Sequence, residues 1–235
     1  MALVTWWSPD PLPSLSALPG FRVALVDDDP AANRALARLN RLPVAEVRAR
    51  RASGHRPYLG LLDGQAVAYG WVATEEASIG ELGVTIRLPR GNRYLWDFAT
   101  LPGFQGRGIY PRLLQAILRQ ESRDAERFWI IFAPENLPSG SGMEHAGLAP
   151  VGSLSFRADG GVGLAPLGSY ERAQAGAELL GVPLVEATLA PCWRCGGQTA
   201  KSDHDATSSC WPPTESAMAP CTCAIERKPS VVVSE

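Results

Sequence analysis

Apolar and polar positions alternate over Phe21–Val26, which predicts a first strand. Asp27-Asp28-Asp29-Pro30 then offers cap oxygens and an early proline, the signature of a helix start. Leu36 and Leu39, set against Arg34, Arg38 and Arg41, carry that helix to about Arg41. Tyr58–Leu62 and Gln65–Ala73 are apolar runs joined by Asp63-Gly64, and a two-residue turn with positive φ at both positions makes them a hairpin. Arg93–Thr100 is rich in aromatics and reads as a central strand. Leu101–Gly108 is a loop with three glycines. Ile109, Leu113, Leu114, Ile117 and Leu118 then fall on one face of a helix over 109–121, and Pro111 in its first turn costs no hydrogen bond. Phe128–Ala133 is a short strand. Ser139–Ala146 is a short helix closed by Gly147. Gly152–Ala158 and Val162–Leu164 flank Asp159-Gly160-Gly161 as a last hairpin, and Tyr170–Leu180 is a last helix before Gly181.

Strands therefore come first as a meander and then alternate with helices, which predicts a mixed α/β domain over residues 20–166. Residues 1–19 are Pro-rich and read as an arm that Trp6 and Trp7 anchor on the body. Residues 167–181 read as a C-terminal helix, and residues 182–235 as an irregular Cys-containing tail.

The 235 residues are long enough to bury a substantial core, and 46% hydrophobic content is ordinary for a globular chain. A net charge of −2 gives no global field for nucleic acid. No apolar run has the length of a membrane span, and the N-terminus has no secretory pattern, so the expectation is a cytoplasmic chain with no membrane partner. Of the 22 basic residues only Lys201 and Lys228 are lysine, a coding bias of GC-rich bacterial genomes rather than a functional signal. Arg34, Arg38, Arg41, Arg48, Arg50, Arg51 and Arg56 crowd one stretch whose only acid is Glu46. That stretch reads as a solvated face with a mobile connector, or as a patch for an anionic ligand.

The most informative stretch is Thr100-Leu-Pro-Gly-Phe-Gln105-Gly106-Arg107-Gly108-Ile109-Tyr110, which leaves a strand and enters a helix. Glycines there let successive N–H groups face one point at the positive end of the helix dipole, a concavity for phosphate or pyrophosphate. Arg107 can add charge-assisted bonds. The P-loop pattern GxxxxGK[ST] is absent, and G-x-G-x-x-G is incomplete. Gln105-Gly106-Arg107-Gly108-Ile109, after Pro102, resembles motif A of the GCN5-related N-acetyltransferases (GNAT family). Asn136, Ser139, Met143, Gly147 and Leu148 resemble the family's later pattern of an Asn, a small residue, a Tyr and a closing Gly-Phe. The likeness covers about residues 20–166.

The resemblance implies an α/β fold with a mostly antiparallel central sheet flanked by helices. It implies acetyl-CoA as cofactor and transfer of its acetyl group to a small-molecule or peptide amine by direct attack in a ternary complex. Ala99 and Thr100 would then offer main-chain bonds to the pantetheine where two central strands splay apart. Gln105, Gly106, Arg107, Gly108, Ile109 and Tyr110 would cradle the pyrophosphate, and Asn136 with Ser139 would meet the pantetheine from the other side. Three positions depart from the pattern: Tyr110 stands where the family has Gly or Ala, Met143 where many members carry a general-acid Tyr, and Leu148 where an aromatic is usual. The alternative reading is a domain of this fold that binds coenzyme A or a partner without catalysis.

Acetyl transfer also needs a neutral amine, and a carboxylate can take its proton. Asp97 is the candidate base, an acid between Trp96 and Phe98 in an apolar strand, where burial would raise its pKa. Tyr94, on the same strand, is a second catalytic candidate; Glu135 is weaker. His145 reads as a surface residue, His55 as solvated, and Trp71 and Trp129 as core.

All five cysteines lie after residue 191. Cys192-Trp-Arg-Cys195-Gly-Gly is a knuckle-like turn, and with two of Cys210, Cys221 and Cys223 it would supply four zinc ligands; the set carried forward is Cys192, Cys195, Cys221 and Cys223. Free thiols in an irregular tail and redox pairing remain the alternatives. The acceptor's identity, and whether the chain is a monomer or homodimer, stay open.

Overall fold

The computed structural model describes residues 1–186 other than Glu81 and Ala158. Its main sheet begins where the sequence reading placed an arm. Ala2–Trp7 is a strand, β1, with a buried centre. The remaining strands of this sheet are β2 (Phe21–Leu25), β3 (His55–Leu62), β4 (Gln65–Ala73), β7 (Asn92–Thr100), β8 (Arg127–Phe132), β9 (Ala149–Phe156) and β10 (Val162–Pro166). A separate two-stranded hairpin, β5 (Glu76–Ile79) and β6 (Val84–Arg87), lies between β4 and β7 in the chain. The helices are α1 (Pro30–Asn40), α2 (Val44–Ala52), α3 (Ile109–Glu121), α4 (Leu137–Ala146) and α5 (Tyr170–Leu180).

The eight strands lie in the order β10-β9-β1-β8-β7-β4-β3-β2. Every pairing is antiparallel except β7 with β8. β1 therefore sits inside the sheet, between β8 and β9, and the domain includes Ala2–Trp7 as well as the residues from 20 onward. The two tryptophans were expected to pin an arm; instead Trp6 packs on Phe128 in the core and Trp7 stacks under Arg127 and Arg172. The chain after β1 runs past Gly147 and across α3, where Gln115 donates to the Pro13 carbonyl at 2.8 Å. Asp10 is held by Arg172 of α5, whose hydrogen bonds keep the Asp10 carboxyl below the usual range. α5 packs on β9, β10 and β6, so residues 167–181 belong to the domain.

Two further stretches differ from expectation. The Arg-rich connector contains α2, a helix that its mean hydropathy conceals because only Val47 is buried. The stretch between Glu75 and Arg93, to which the pattern assigns no element, contains the β5–β6 hairpin.

α3 lies against the sheet through Ile109, Leu113, Leu114, Ile117 and Leu118, all buried as the periodicity predicts. Its last residue, Glu121, is buried with a 0% exposed side chain. The Tyr58 hydroxyl donates to it, and Arg56 and Arg93 lie at 2.9 and 3.1 Å. A carboxylate without water needs such partners, and here they fasten α3 to β3 and β7. On the opposite face α1 and α2 cover Leu59, Tyr69 and Trp71.

Candidate active site

β7 and β8 pair only over Asn92–Tyr94 and Arg127–Trp129. Beyond that, β7 stays on β4 as far as Thr100 and β8 stays on β1 as far as Phe132. The two parallel strands therefore diverge, and the edge of β7 that faces the gap is unpaired from Leu95 onward. A register shift on β7 opposite Gly70 makes a bulge, with Asp97 at φ +50°. Gly70 is required there, because a Cβ would overlap the Phe98 ring.

On the α3 face of the gap, β7 ends in a turn at Pro102–Phe104 and the chain enters α3 through Gly106 and Gly108, both at positive φ (+73° and +67°). Gly108 caps the helix and brings no side chain to do so. The N–H groups of Gly106 through Tyr110 have no acceptor among the described turn, loop and cap hydrogen bonds. Pro111 has no N–H to satisfy. The result is an open, electropositive helix start, and a Cβ built on Gly106 meets nothing within 4 Å. Gln105 folds back to donate to the Thr100 carbonyl at 3.0 Å, and Arg107 lies over the Phe104 ring. Arg112 reaches back to the Gly108 carbonyl at 2.6 Å. The donor set fits a diphosphate: uncapped N–H groups, two left-handed glycines and an exposed arginine.

Tyr110 does not enter this cradle. Its ring turns toward the gap, 5.6 Å from Phe98, and lies over Gly142 of α4, where a Cβ would collide with it. Its hydroxyl lies beside Ser139, and burial pushes its pKa upward. Ile109 points into the core, so only its backbone faces the cradle. Asn136 caps α4, its Oδ1 accepting from the Ser139 N–H at 3.2 Å. Met143 and Leu148 are buried in the core beneath α4.

On the α1–α2 face, the bulge delivers Asp97 into a polar and aromatic cluster rather than the apolar setting that its neighbours in sequence suggest. Arg50 Nη1 of α2 donates to Asp97 Oδ2 at 2.6 Å, and Asn40 Nδ2 of α1 donates to the same oxygen at 3.1 Å. The Tyr69 hydroxyl donates to Asp97 Oδ1 at 3.2 Å; burial, and then the Asp97 charge, push the pKa of Tyr69 upward. Asn40 Oδ1 accepts from Trp71 Nε1 at 2.8 Å. Arg50 lies over Trp71 and Trp96, and the His55 ring stands 5.1 Å from Trp96. His55 was expected to be solvated; it is half-buried with an unpartnered Nδ1, and burial lowers its pKa.

The structure thus gathers Ala99, Thr100, Gln105, Gly106, Arg107, Gly108 and Tyr110 on one side of the gap, with Asn136 and Ser139 on the adjoining helix. Asp97 faces the other side. Tyr94 is buried at the apex of the divergence, and Trp71 and Trp129 are core, 0% and 1% exposed. Sequence reasoning missed Asn40, Arg50 and Tyr69. The spacing of Tyr69 and Trp71 on one strand face was the available signal; nothing local links them to Arg50. Cys192, Cys195, Cys221 and Cys223 lie outside the described residues. Among the described residues, no group of three or more His, Cys, Asp or Glu is arranged to hold a metal. No described helix is long and apolar enough to cross a membrane.

An uncapped glycine turn at the divergence of two parallel strands defines the class of protein. The model of the acetyltransferase (GNAT) family matches residues 23–141, and the chain belongs to that family. No curated protein matches the chain in sequence. Among solved structures, the chain is similar to a GCN5-related N-acetyltransferase from Kribbella flavida (16% identity, 63% of this chain and 53% of that one, TM-score 0.44). The chain thus spans about half of that relative's length. It is also similar to the ribosomal-protein alanine N-acetyltransferase of Escherichia coli (12% identity, 60% and 88%, TM-score 0.44). A third is an aminoglycoside N-acetyltransferase solved in complex with CoA (18% identity, 54% and 90%, TM-score 0.40).

Proposed function

We propose that this chain is an acetyl-CoA-dependent N-acetyltransferase acting on a primary amine by direct attack in a ternary complex. The observation that carries the reading is the uncapped start of α3, behind two left-handed glycines, at the mouth of the β7–β8 gap. Acetyl-CoA, when bound, supplies an activated acyl thioester. The N–H groups of Gly106–Tyr110 and the Arg107 guanidinium would hold its diphosphate. The unpaired edge of β7 at Ala99 and Thr100 offers main-chain groups to the pantetheine, and Asn136 offers its amide nitrogen from the opposite side. Asp97, on the far side of the gap, holds the amine and accepts its proton. Tyr94, the second candidate on the same strand, packs the apex of the gap.

Met143 is a buried thioether and donates no proton. Tyr110 keeps its proton at neutral pH and sits on the cofactor side of the gap, beside Ser139. It is assigned the proton donor's role that position 143 lacks. The same two residues favour a second reading, a domain that binds coenzyme A without turnover.

Thiol release from acetyl-CoA with a panel of amines separates the two. Catalysis predicts amine-dependent release that Asp97→Asn cuts by about 10²–10⁴-fold, without loss of acetyl-CoA affinity. Tight acetyl-CoA binding with no release for any amine supports the binding domain instead.

A further inference from the structure

A cavity of about 290 Å³ lies between α3, β2 and residues 15–18 of the segment that follows β1. None of Gly106 through Tyr110 lines it, so it is separate from the diphosphate cradle. Leu15, Leu18, Phe21 and Val23 give it apolar walls, and the last three also pack against the core. Arg112 and Arg119 of α3 line it as well, and no Asp or Glu does. Among the described residues no carboxylate pairs with either arginine. Their bonds go to neutral acceptors: the Ser16 and Gly108 carbonyls for Arg112, the Gln115 amide oxygen for Arg119. Apolar walls with an uncompensated positive charge select an anion that carries an apolar body.

Arg112 belongs to both places. Its Nη1 donates to the Gly108 carbonyl at 2.6 Å, and that carbonyl shares a peptide unit with the Ile109 N–H, a donor of the cradle. Its Nε and Nη2 both donate to the Ser16 carbonyl in the cavity wall. A guanidinium has five N–H donors, and these bonds leave donors for the two oxygens of a carboxylate. Arg112 is half-buried and Arg119 exposed, so an anion pairs better with Arg112, where water screens less. An anion there offsets a positive charge that stands one turn behind the cradle. The start of α3 then attracts a diphosphate less strongly, and by reciprocity a bound diphosphate weakens the anion.

We propose that this cavity is an effector site for a small aliphatic carboxylate, and that Arg112 couples its occupancy negatively to acetyl-CoA binding. The carboxylate pairs with Arg112, and the chain lies along Leu15, Leu18, Phe21 and Val23. At ~30 Å³ for each water-sized group, the cavity holds on the order of ten non-hydrogen atoms, a chain of about eight carbons with its head. The coupling rests on the acetyl-transfer reading above; the site itself does not.

The test is calorimetric titration of the full chain with octanoate, with octylamine (the same tail, opposite charge) and with acetate (the same head, no tail). Octanoate is expected to bind the wild type at least tenfold more tightly than either. Arg112→Gln removes the charge, and Ala116→Leu fills the cavity from α3; each should weaken octanoate at least tenfold. Should Ala116→Leu not fold, Leu15→Glu must weaken octanoate in the same way. Acetyl-CoA is titrated separately, with and without saturating octanoate. Its affinity should fall about fivefold or more when octanoate is present, and should be unchanged by Ala116→Leu alone. Octanoate that binds no better than the two controls, or binds the variants as well as the wild type, overturns the site. Loss of acetyl-CoA binding in a folded Ala116→Leu variant makes the cavity part of the cofactor site and overturns its separateness. Unchanged acetyl-CoA affinity at saturating octanoate overturns the coupling. Failure of acetyl-CoA to bind the wild type overturns the acetyl-transfer reading and the coupling with it, and octanoate binding still decides the site.

Discussion

The two faces of the β7–β8 gap are built from different materials. The α3 face is made of backbone: consecutive N–H groups, two left-handed glycines and a helix that no side chain caps. The α1–α2 face is made of side chains from four elements, Asn40, Arg50, Tyr69 and Asp97 among them, joined by hydrogen bonds. A diphosphate asks only for N–H donors and positive charge, so a short local segment suffices. An acceptor amine must be chosen among many, and that choice needs groups brought from far apart in the chain. Buried charge follows the same division. Glu121, at the end of α3, is held between Arg56 and Arg93 with no exposed side chain, whereas Arg50 and Asp97 keep 19% and 27% of their side chains exposed.

Five substitutions sharpen or break this contrast. The largest effect is expected from Glu121→Ala, which leaves two arginines facing a site without a carboxylate. Breaking such a buried set costs about 3–5 kcal/mol. Chemical denaturation should show that loss, and a change under about 1 kcal/mol would mean that α3 is held by its apolar face alone. Next is Gly142→Ala, where the new methyl group meets the Tyr110 ring. Overpacking of this kind costs about 1–3 kcal/mol, more than helix propensity returns. Combined with Tyr110→Ala, the penalty should vanish in a double-mutant cycle, and additive penalties would show that ring and glycine are unrelated. Smaller again is Arg50→Ala, which should change stability by no more than about 1 kcal/mol, because its ion pairs are part-exposed. A loss comparable to that of Glu121→Ala would make Arg50 a structural residue and erase the contrast between the faces.

The smallest effect concerns pH. Burial lowers the folded-state pKa of His55 below the ordinary 6.5, so below about that pH the unfolded chain takes up the proton first. The contribution of His55 is fully present above that range and declines as pH falls through it. Melting temperatures of wild type and His55→Phe, compared at pH 7.5 and 5.5, should show a smaller acid loss in the variant. An equal loss would place the titration elsewhere.

How much was legible in the sequence follows the same line. The glycine loop announces itself because its chemistry is contiguous, and Gly106, Gly108 and the apolar stripe of α3 carry it without help from the rest of the chain. The meander from Phe21 to Ala73 was legible through Asp63-Gly64 and its flanking alternation. β1 was not, because Ala2–Trp7 is buried on both sides and lacks alternation, and its partners β8 and β9 lie more than a hundred residues away. α2 was hidden by arginines that crowd a helix with one buried side chain. Asp97 was legible as an acid in an apolar strand, but its partners were not. The bulge that turns it toward Arg50 depends on the fit of Gly70 against Phe98, and that fit exists only once the sheet has formed.

The central claim is that the uncapped start of α3 holds the diphosphate of acetyl-CoA. Calorimetric titration of the purified full chain with acetyl-CoA tests it most directly, with Gly108→Glu as the control. The variant sets a side chain at φ +67°, into the Arg112 guanidinium, and aims a negative charge at the cradle. The account predicts micromolar binding by the wild type and at least a hundredfold loss in a variant that remains folded by circular dichroism. A folded wild-type protein that does not bind acetyl-CoA, or a Gly108→Glu variant that binds it equally well, would contradict the account.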